Sequence, residues 1–229
     1  MDYVYICRDG DNEELRYSLR ATAENLPSGR VWVVGGKPDW YLGDYIEVPQ
    51  QQSKQENAKA NWKAAVSNPH VSESIIMMND DFFTIKKLSN IPVLNGGLLS
   101  KKIAQYSKLS SQGSYTKRLM LTYRKLKASG HQHPIDYEMH VPMQITKSGI
   151  DEAQRRNYLM IRTAYGNIFD IGGEETKDIK VYESGSSMSH SYDYLSGVSP
   201  YLSSNDASFA TLGKDILFDM FPSKSQYEK

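Results

Sequence analysis

A chain of 229 residues is the size of one domain with room for a sizeable core. Lysine and arginine balance aspartate and glutamate at 27 each, so the net charge names no partner, and the single cysteine, Cys7, excludes an intrachain disulfide and favours a reducing compartment. No apolar run reaches membrane-spanning length and the N-terminus opens directly into a strand pattern, so a soluble cytoplasmic protein without a membrane partner is expected.

Tyr3-Val4-Tyr5-Ile6-Cys7 is β-branched and aromatic, the composition of a strand. It ends at Arg8-Asp9-Gly10-Asp11. A helix follows from about Glu13 to Asn25, with Leu15, Leu19 and Ala23 on one face, and stops at Leu26-Pro27-Ser28-Gly29. Val31–Val34 reads as a buried strand closed by Gly35-Gly36, and Tyr45–Val48 as a short third one. Ser53-Lys54-Gln55-Glu56 is a capping box opening a helix to about Val66, on which Asn57 and Asn61 share a face. Ile75–Met78 is the next buried strand. This alternation predicts an α/β fold with a mainly parallel sheet flanked by helices. After residue 90 the rhythm loosens. Ser114 is expected to cap a basic helix from Tyr115 to Ala128. Tyr137–Met143 is strand-like, 151–165 helical, 184–208 a loop rich in Ser, Gly and Tyr, and a last helix spans roughly Ala207 to Met220.

The most informative stretch is Ser74–Phe83. An apolar strand ends in Asn79-Asp80-Asp81, fenced by Phe82 and Phe83. Carboxylates beside a core are costly unless paired or bound to a cation. At the C-terminal end of a strand in an open α/β sheet they face the ligand crevice. Oxygen ligands of this kind suit Mn²⁺ or Mg²⁺, ions that usually hold substrate phosphates as well. The plain alternative is a polar turn. In Asp9-Gly10-Asp11 the glycine permits a tight turn. Asp9 there orients a base, a ribose or a metal-bound water, or else Asp11 or Asn12 merely caps the helix. Arg16 and Arg20, one turn apart, are phosphate readers or solvated helix charges. His140, beside Pro142 and after Asp136-Tyr137-Glu138, is a metal ligand, a general base or a structural histidine. Arg162 sits among apolar neighbours and needs an anion, either a protein carboxylate or a substrate phosphate. Ser204-Asn205-Asp206 precedes the last helix, with an N-cap as its plain reading.

Charge is also unevenly spread. No acidic residue lies between Asp81 and Asp136, whereas that gap holds ten cations. Within the basic segment 86–133, Lys101, Lys102, Lys117, Arg118, Arg124, Lys125 and Lys127 are candidates for nucleic-acid contact. They are interleaved with Tyr106, Tyr115, Tyr123, Gln112, His131 and His133. Cations neutralise phosphates and tyrosines stack on bases; a solvated basic helix balanced by acids elsewhere is the alternative.

Taken in order, several segments resemble the Stealth family of sugar-phosphate transferases. They are Asp2-Tyr3-Val4-Tyr5 with Asp9-Gly10-Asp11, Glu14-Leu15-Arg16-Tyr17-Ser18-Leu19-Arg20, Pro38-Asp39-Trp40-Tyr41-Leu42, Asn79-Asp80-Asp81-Phe82-Phe83, His140 with Pro142-Met143 and Lys147, then Arg162, then Asn205-Asp206. The resemblance covers most of the chain. It departs from the family in length, in Ile6-Cys7-Arg8, where a Thr-Trp-Val-like stretch is usual, and in the acid-free basic segment. Short chains of this kind also resemble phage-encoded glycosyltransferases, some of which decorate DNA bases.

The resemblance implies a glycosyltransferase-A-like fold, a nucleotide-sugar donor, and a divalent ion at Asp80 and Asp81. It also implies Asp9, His140, Arg162 and Asp206 around the donor phosphates. The expectation is a single catalytic domain, 1–229, with a nucleotide-sugar-binding half, 1–90, and an acceptor half, 91–229. Asp9, Gly10, Asp11, Arg16, Arg20, Asn57, Asn61, Asn79, Arg162 and Asp206 would bind the donor. His140, or Asp136 or Glu138, would take the acceptor proton, with Asp81 also placed in the catalytic set. The favoured acceptor is a hydroxymethylated base in phage DNA, flipped out of the duplex. The alternatives are sugar-1-phosphate transfer to a glycan and a non-catalytic nucleic-acid-binding module.

Overall fold

The computed structural model describes residues 1–110, 113–181, 197–210 and 214–229. The chain forms two compact units. One comprises Met1–Ile91, His140–Gln144 and Ile179–Lys229; the other comprises Pro92–Met139 and Ile145–Asp178.

The first unit is built on strands β1 (Asp2–Cys7), β2 (Arg30–Gly35), β3 (Asp44–Glu47) and β4 (Ser74–Asn79), with β7 (Met143–Thr146) opening in it. The sheet order is β3-β2-β1-β4-β7. β1 runs parallel to β2 and β4, and β2 runs parallel to β3. The strands read as near-continuous apolar runs because both faces of such a sheet are covered; Tyr5, Val33, Val34, Ile75, Ile76 and Met78 are sealed from solvent. Helices α1 (Glu13–Asn25) and α2 (Lys54–Ser67) make the crossovers. Asn12 caps α1 from a left-handed conformation (φ 46°), its side chain accepting the Leu15 N–H at 3.2 Å. Leu15 and Leu19 of α1 then pack with Tyr3, Tyr5 and Cys7 of β1. β2 and β3 lie on one side of β1 and β4 on the other, so the strand order reverses between β1 and β4. Ligands of open α/β sheets bind at that point, outside the carboxyl ends of the strands.

Gly35 closes β2 at φ +114°, and a Cβ there would strike the Cys7 carbonyl oxygen; one at Gly36 would strike the Arg8 carbonyl. Glycine at both positions lets the ends of β1 and β2 lie flush below the crevice.

A second sheet joins β5 (Phe82–Thr84), β10 (Tyr201–Ser204) and β9 (Lys180–Val181) in the order β5-β10-β9. Ser203 of β10 stands opposite Phe82 on one side and Lys180 on the other. The short helices α7 (Asp206–Ser208) and α8 (Lys214–Met220) follow. Tyr17, Phe83, Leu202, Phe209 and Leu217 form the core beneath them.

The second unit holds the small strands β6 (Leu94–Asn95) and β8 (Glu174–Glu175). Its helices are α3 (Leu99–Ser110), α4 (Ser114–Ala128), α5 (Lys147–Arg155) and α6 (Ile161–Ile168). Leu99, Leu119, Leu126, Ala153, Tyr158, Met160 and Ala164 form its core.

The first 85 residues follow the predicted elements closely; the rest differ in definite ways. Gly113 rather than Ser114 holds the N-cap position of α4, without a side-chain cap. In the Tyr137–Met143 segment only Met143 belongs to a strand. The Asp136 and Tyr137 N–H groups go instead to the Gly97 carbonyl and the Thr163 hydroxyl. The predicted 151–165 helix is two helices, parted where Asn157 turns left-handed (φ 52°), a conformation asparagine tolerates. α3 was not expected at all. The predicted loop 184–208 contains β10 and α7, while its residues 184–196 lie outside the described residues, as does Gln112. The predicted last helix is helical at Asp206–Ser208 and Lys214–Met220, with 211–213 likewise outside the described residues.

Candidate functional site

A cleft of about 810 Å³ opens at the carboxyl ends of β1 and β4 in the first unit. β1 delivers Cys7 and Arg8 to it, β4 delivers Asn79, Asp80 and Asp81, α1 delivers Glu14, and α2 delivers Asn57 and Asn61. Lys180, Ser204 and Asp206 complete the acidic side.

Each carboxylate has a definite environment. Asp80 Oδ2 accepts from Asn12 Nδ2 at 2.8 Å. Asp81 Oδ2 accepts from Lys180 Nζ at 2.6 Å and from the Ser203 hydroxyl at 3.2 Å. Asp81 Oδ1 is buried with no hydrogen-bond partner among the described residues. Glu14 Oε1 accepts from the Ser204 hydroxyl at 3.0 Å, and Asp206 meets Arg8 at 3.3 Å on the exposed rim. Negative charge exceeds its local compensation. Burial, followed by the neighbouring Asp81, pushes the Asp80 carboxyl up to about 6. Burial, followed by Asp80 and then Asp81 and Asp206, pushes Glu14 up to about 7 against the opposing hydroxyl of Ser204.

The raised Glu14 value sets a pH dependence. A carboxyl whose folded pKa lies above its unfolded one, about 4.3, stabilises the fold fully below the unfolded value. That contribution is lost as pH rises through about 7. Each unit corresponds to about 1.4 kcal/mol, so after solvent screening about 1–2 kcal/mol of stability is lost as pH rises from the unfolded value to about 7. Glu14→Gln is expected to flatten this fall and to raise the melting temperature at pH 8 in EDTA by a few degrees. A melting curve at pH 8 identical to that of the wild type would remove Glu14 from the charge cluster.

The donor set fits a hard divalent cation. Asp80 and Asp81 present oxygen, and one Asp81 oxygen has no partner. Among the described residues no three His, Cys, Asp or Glu side chains form a metal-holding group. Protein oxygens from this pair alone, with water and ligand phosphates completing the shell, is the usual arrangement for Mg²⁺-like ions.

Asn57 and Asn61 line the same cleft. Asn61 Nδ2 donates to the Cys7 carbonyl at 3.2 Å, and Asn57 Oδ1 accepts the Gln51 N–H at 3.3 Å. The Asp9-Gly10-Asp11 turn stands just after β1. Gly10 has φ +126°, the exposed Asp9 N–H donates to Gln50 Oε1, and the Asp11 carbonyl accepts from Trp40 Nε1 at 2.7 Å. Asp206 opens α7, whose cap is Asn205 in a reciprocal pairing with Ser208. His140 is carried in the first unit, edge-on to the ring of Phe82 at 6.3 Å between centroids. Arg16 and Arg20 both meet Glu228, Arg20 in bidentate fashion at 2.8 and 2.7 Å.

Asp136, Glu138 and Arg162 belong to the second unit. Lys102 Nζ donates to Asp136 Oδ2 at 2.6 Å and to the Glu138 carbonyl at 2.9 Å. The Thr163 N–H reaches Glu138 Oε1, and Arg162 Nε reaches the Tyr137 carbonyl. Burial raises Glu138 above the usual carboxylate range, although Arg162 and the Thr163 N–H oppose it. The basic helix is partly engaged as well. Lys125 donates to the Arg156 and Asn157 carbonyls, Lys127 to the Gln132 carbonyl, and Arg118 to Met160 Sδ. Lys101, Lys117 and Arg124 are exposed.

Sequence reasoning missed Glu14 and Lys180 as cleft residues, and Ser203 as the buried hydroxyl that bonds Asp81. Glu14 lies in the first turn of α1, where an acid reads as a dipole partner. Lys180 and Ser203 come from strands about a hundred residues further on, and nothing local to them signals Asp81.

A mostly parallel sheet flanked by helices is the α/β architecture of the glycosyltransferase-A-like fold. The chain superposes on an active-site mutant of LgtC with a TM-score of 0.50 and 10% identity, over 100% of this chain and 98% of that one. Galactosyltransferase LgtC in complex with donor and acceptor sugar analogues gives 0.49, 10% identity and the same coverage. Mouse xyloside xylosyltransferase 1 gives 0.41 and 7% identity, over 91% and 99% of the two chains. No family model and no curated protein matches the chain.

Proposed function

We propose that the chain is a metal-dependent glycosyltransferase that takes a nucleotide-sugar donor in the cleft of the first unit. The observation carrying this reading is the cleft at the switch point, where Asp80 and Asp81 meet with an excess of negative charge and an unpartnered Asp81 oxygen. Asp80 and Asp81 would hold Mn²⁺ or Mg²⁺, which when bound neutralises the donor diphosphate and the charge of the leaving group. Arg8 and Lys180 add positive potential at the same rim. Asn79, Asn57 and Asn61 offer amides to the nucleoside, and the Asp9-Gly10-Asp11 turn borders it. His140 takes the acceptor proton; its support is its return to the first unit beside Phe82, which follows the carboxylate pair.

For the acceptor, the exposed Lys101, Lys117 and Arg124 favour a polyanion, and hydroxymethylated DNA is the one we propose. Sugar-1-phosphate transfer to a glycan is the alternative. Product mass separates them, since the second adduct carries a phosphate.

The donor reading is tested by melting the protein with a panel of nucleotide sugars, with and without Mn²⁺. A ligand at a hundredfold its Kd stabilises by about 2.7 kcal/mol, several degrees for a chain of this length. The expected result is a shift with Mn²⁺ and one donor together that neither gives alone. No shift from any donor in the presence of Mn²⁺ would overturn it.

A further inference from the structure

We propose that Lys180 is the resident counter-ion of Asp81, and that a divalent cation entering the cleft must displace it. This rests on the metal reading above. Among the described residues, three ion pairs with largely buried side chains can be compared. Arg20 and Glu228 are 8% and 0% exposed and joined by two guanidinium bonds, and Glu228 also accepts from Ser225. Lys102 and Asp136 are 10% and 1% exposed, and each has a further bond, to the Glu138 carbonyl and from the Glu138 N–H. Both are locked from several directions. The third differs.

Lys180 and Asp81 line the cleft, are 16% and 12% exposed, and share one bond of 2.6 Å. The same carboxylate accepts from Ser203 on that oxygen, while its other oxygen has no partner. The register explains the convergence. Ser203 is the ladder partner of both Phe82 and Lys180, so the β5-β10-β9 sheet brings a hydroxyl and an ammonium to the residue preceding Phe82. Four carboxylates stand at this end of the cleft, and an ammonium on a flexible stem is their removable neutraliser. A cation bound at Asp81 repels an ammonium in hydrogen-bond contact with the same carboxylate. The long lysine stem lets the ammonium swing into the open cleft. The exchange breaks one ion pair, forms a metal–carboxylate bond and leaves Lys180 protonated. Metal affinity in the nucleotide-free protein is therefore held down by Lys180.

The test is Mn²⁺ binding to the full chain at pH 8 without nucleotide, read as the loss of the free Mn²⁺ electron paramagnetic resonance signal. Lys180→Met is expected to bind Mn²⁺ at least tenfold more tightly than wild type, and Lys180→Arg, which keeps the charge, close to wild type. Binding by Lys180→Met alone also supports the exchange. Lys180→Gln replaces the methionine variant if that one does not fold. Equal or weaker binding by the uncharged variants, with wild type binding Mn²⁺, overturns the exchange and leaves the metal reading standing. No Mn²⁺ binding by any of the proteins overturns both.

Discussion

Asp81→Asn is expected to lower Mn²⁺-dependent donor turnover by about 10³-fold, the scale on which removal of one charge-stabilising group acts. The substitution keeps the shape of the side chain and an oxygen for the Ser203 hydroxyl, now 3.2 Å away. It removes the charge that a hard cation needs and leaves Lys180 without its carboxylate. The second consequence costs stability, about 1–3 kcal/mol for a partner lost in a largely buried setting. A simple loss of activity would therefore be ambiguous. The double variant Asp81→Asn, Lys180→Met resolves it by removing the stranded ammonium. Its melting temperature should recover toward that of the wild type while turnover stays lost. Single-variant turnover within threefold of wild type in Mn²⁺ would dismiss Asp81 as a metal ligand and return the Asp80–Asp81 pair to the status of a polar turn.

The physics of that pair explains what the sequence disclosed. Ile75–Met78 followed by two aspartates and two phenylalanines carries its own contradiction, apolar residues demanding burial around groups that resist it, so the carboxylate pair that lines the cleft was legible as a candidate site from a ten-residue window. The parallel sheet was legible for the same reason: strands covered on both faces appear as unbroken apolar runs. The other half of the site was not. Glu14 and Lys180 reach the cleft, and Ser203 reaches Asp81, through sheet register and helix placement, and their local sequence has no burial conflict to betray them. Arg16 and Arg20 show the converse. Two guanidiniums one turn apart beside an Asp-Gly turn look like phosphate readers, yet a carboxylate more than two hundred residues away meets both. The elements after residue 90 escaped because short pieces, β6 and β8 above all, are held by tertiary contacts rather than by periodicity. α3 escaped because its lysines mask an apolar stripe of which Leu99 is fully buried.

Glu228→Ala should be among the most destabilising single changes in the chain, by about 3–5 kcal/mol. Its side chain is wholly buried. It receives two bonds from Arg20, one from Arg16 at 3.5 Å, and the N–H and hydroxyl of Ser225 at 2.8 and 3.0 Å. Alanine would strand the Arg20 guanidinium, itself only 8% exposed, and loosen Arg16, which lies 4.5 Å over the Trp40 ring. The segment around it would also lose its anchor: Leu42 N–H reaches the Tyr227 carbonyl and Lys229 N–H the Trp40 carbonyl, both at 2.9 Å. For a chain of this length the loss corresponds to roughly 10 °C in melting temperature. The pH signature has the opposite sign to that of Glu14. Burial alone would raise the Glu228 carboxyl, but the bonds from Arg20 and Ser225 outweigh it and hold it below its ordinary value. Its stabilisation is therefore present above the unfolded value, about 4.3, and is lost as pH falls through the lower folded one. Wild type should weaken in that acid window and Glu228→Gln should not. Because Glu228 meets α1 away from the acidic end of the cleft, Mn²⁺ binding measured below the melting transition should be unchanged in both variants. A melting temperature within 2 °C of wild type for Glu228→Ala would mean that the two arginines find other anions and that Glu228 is not their anchor.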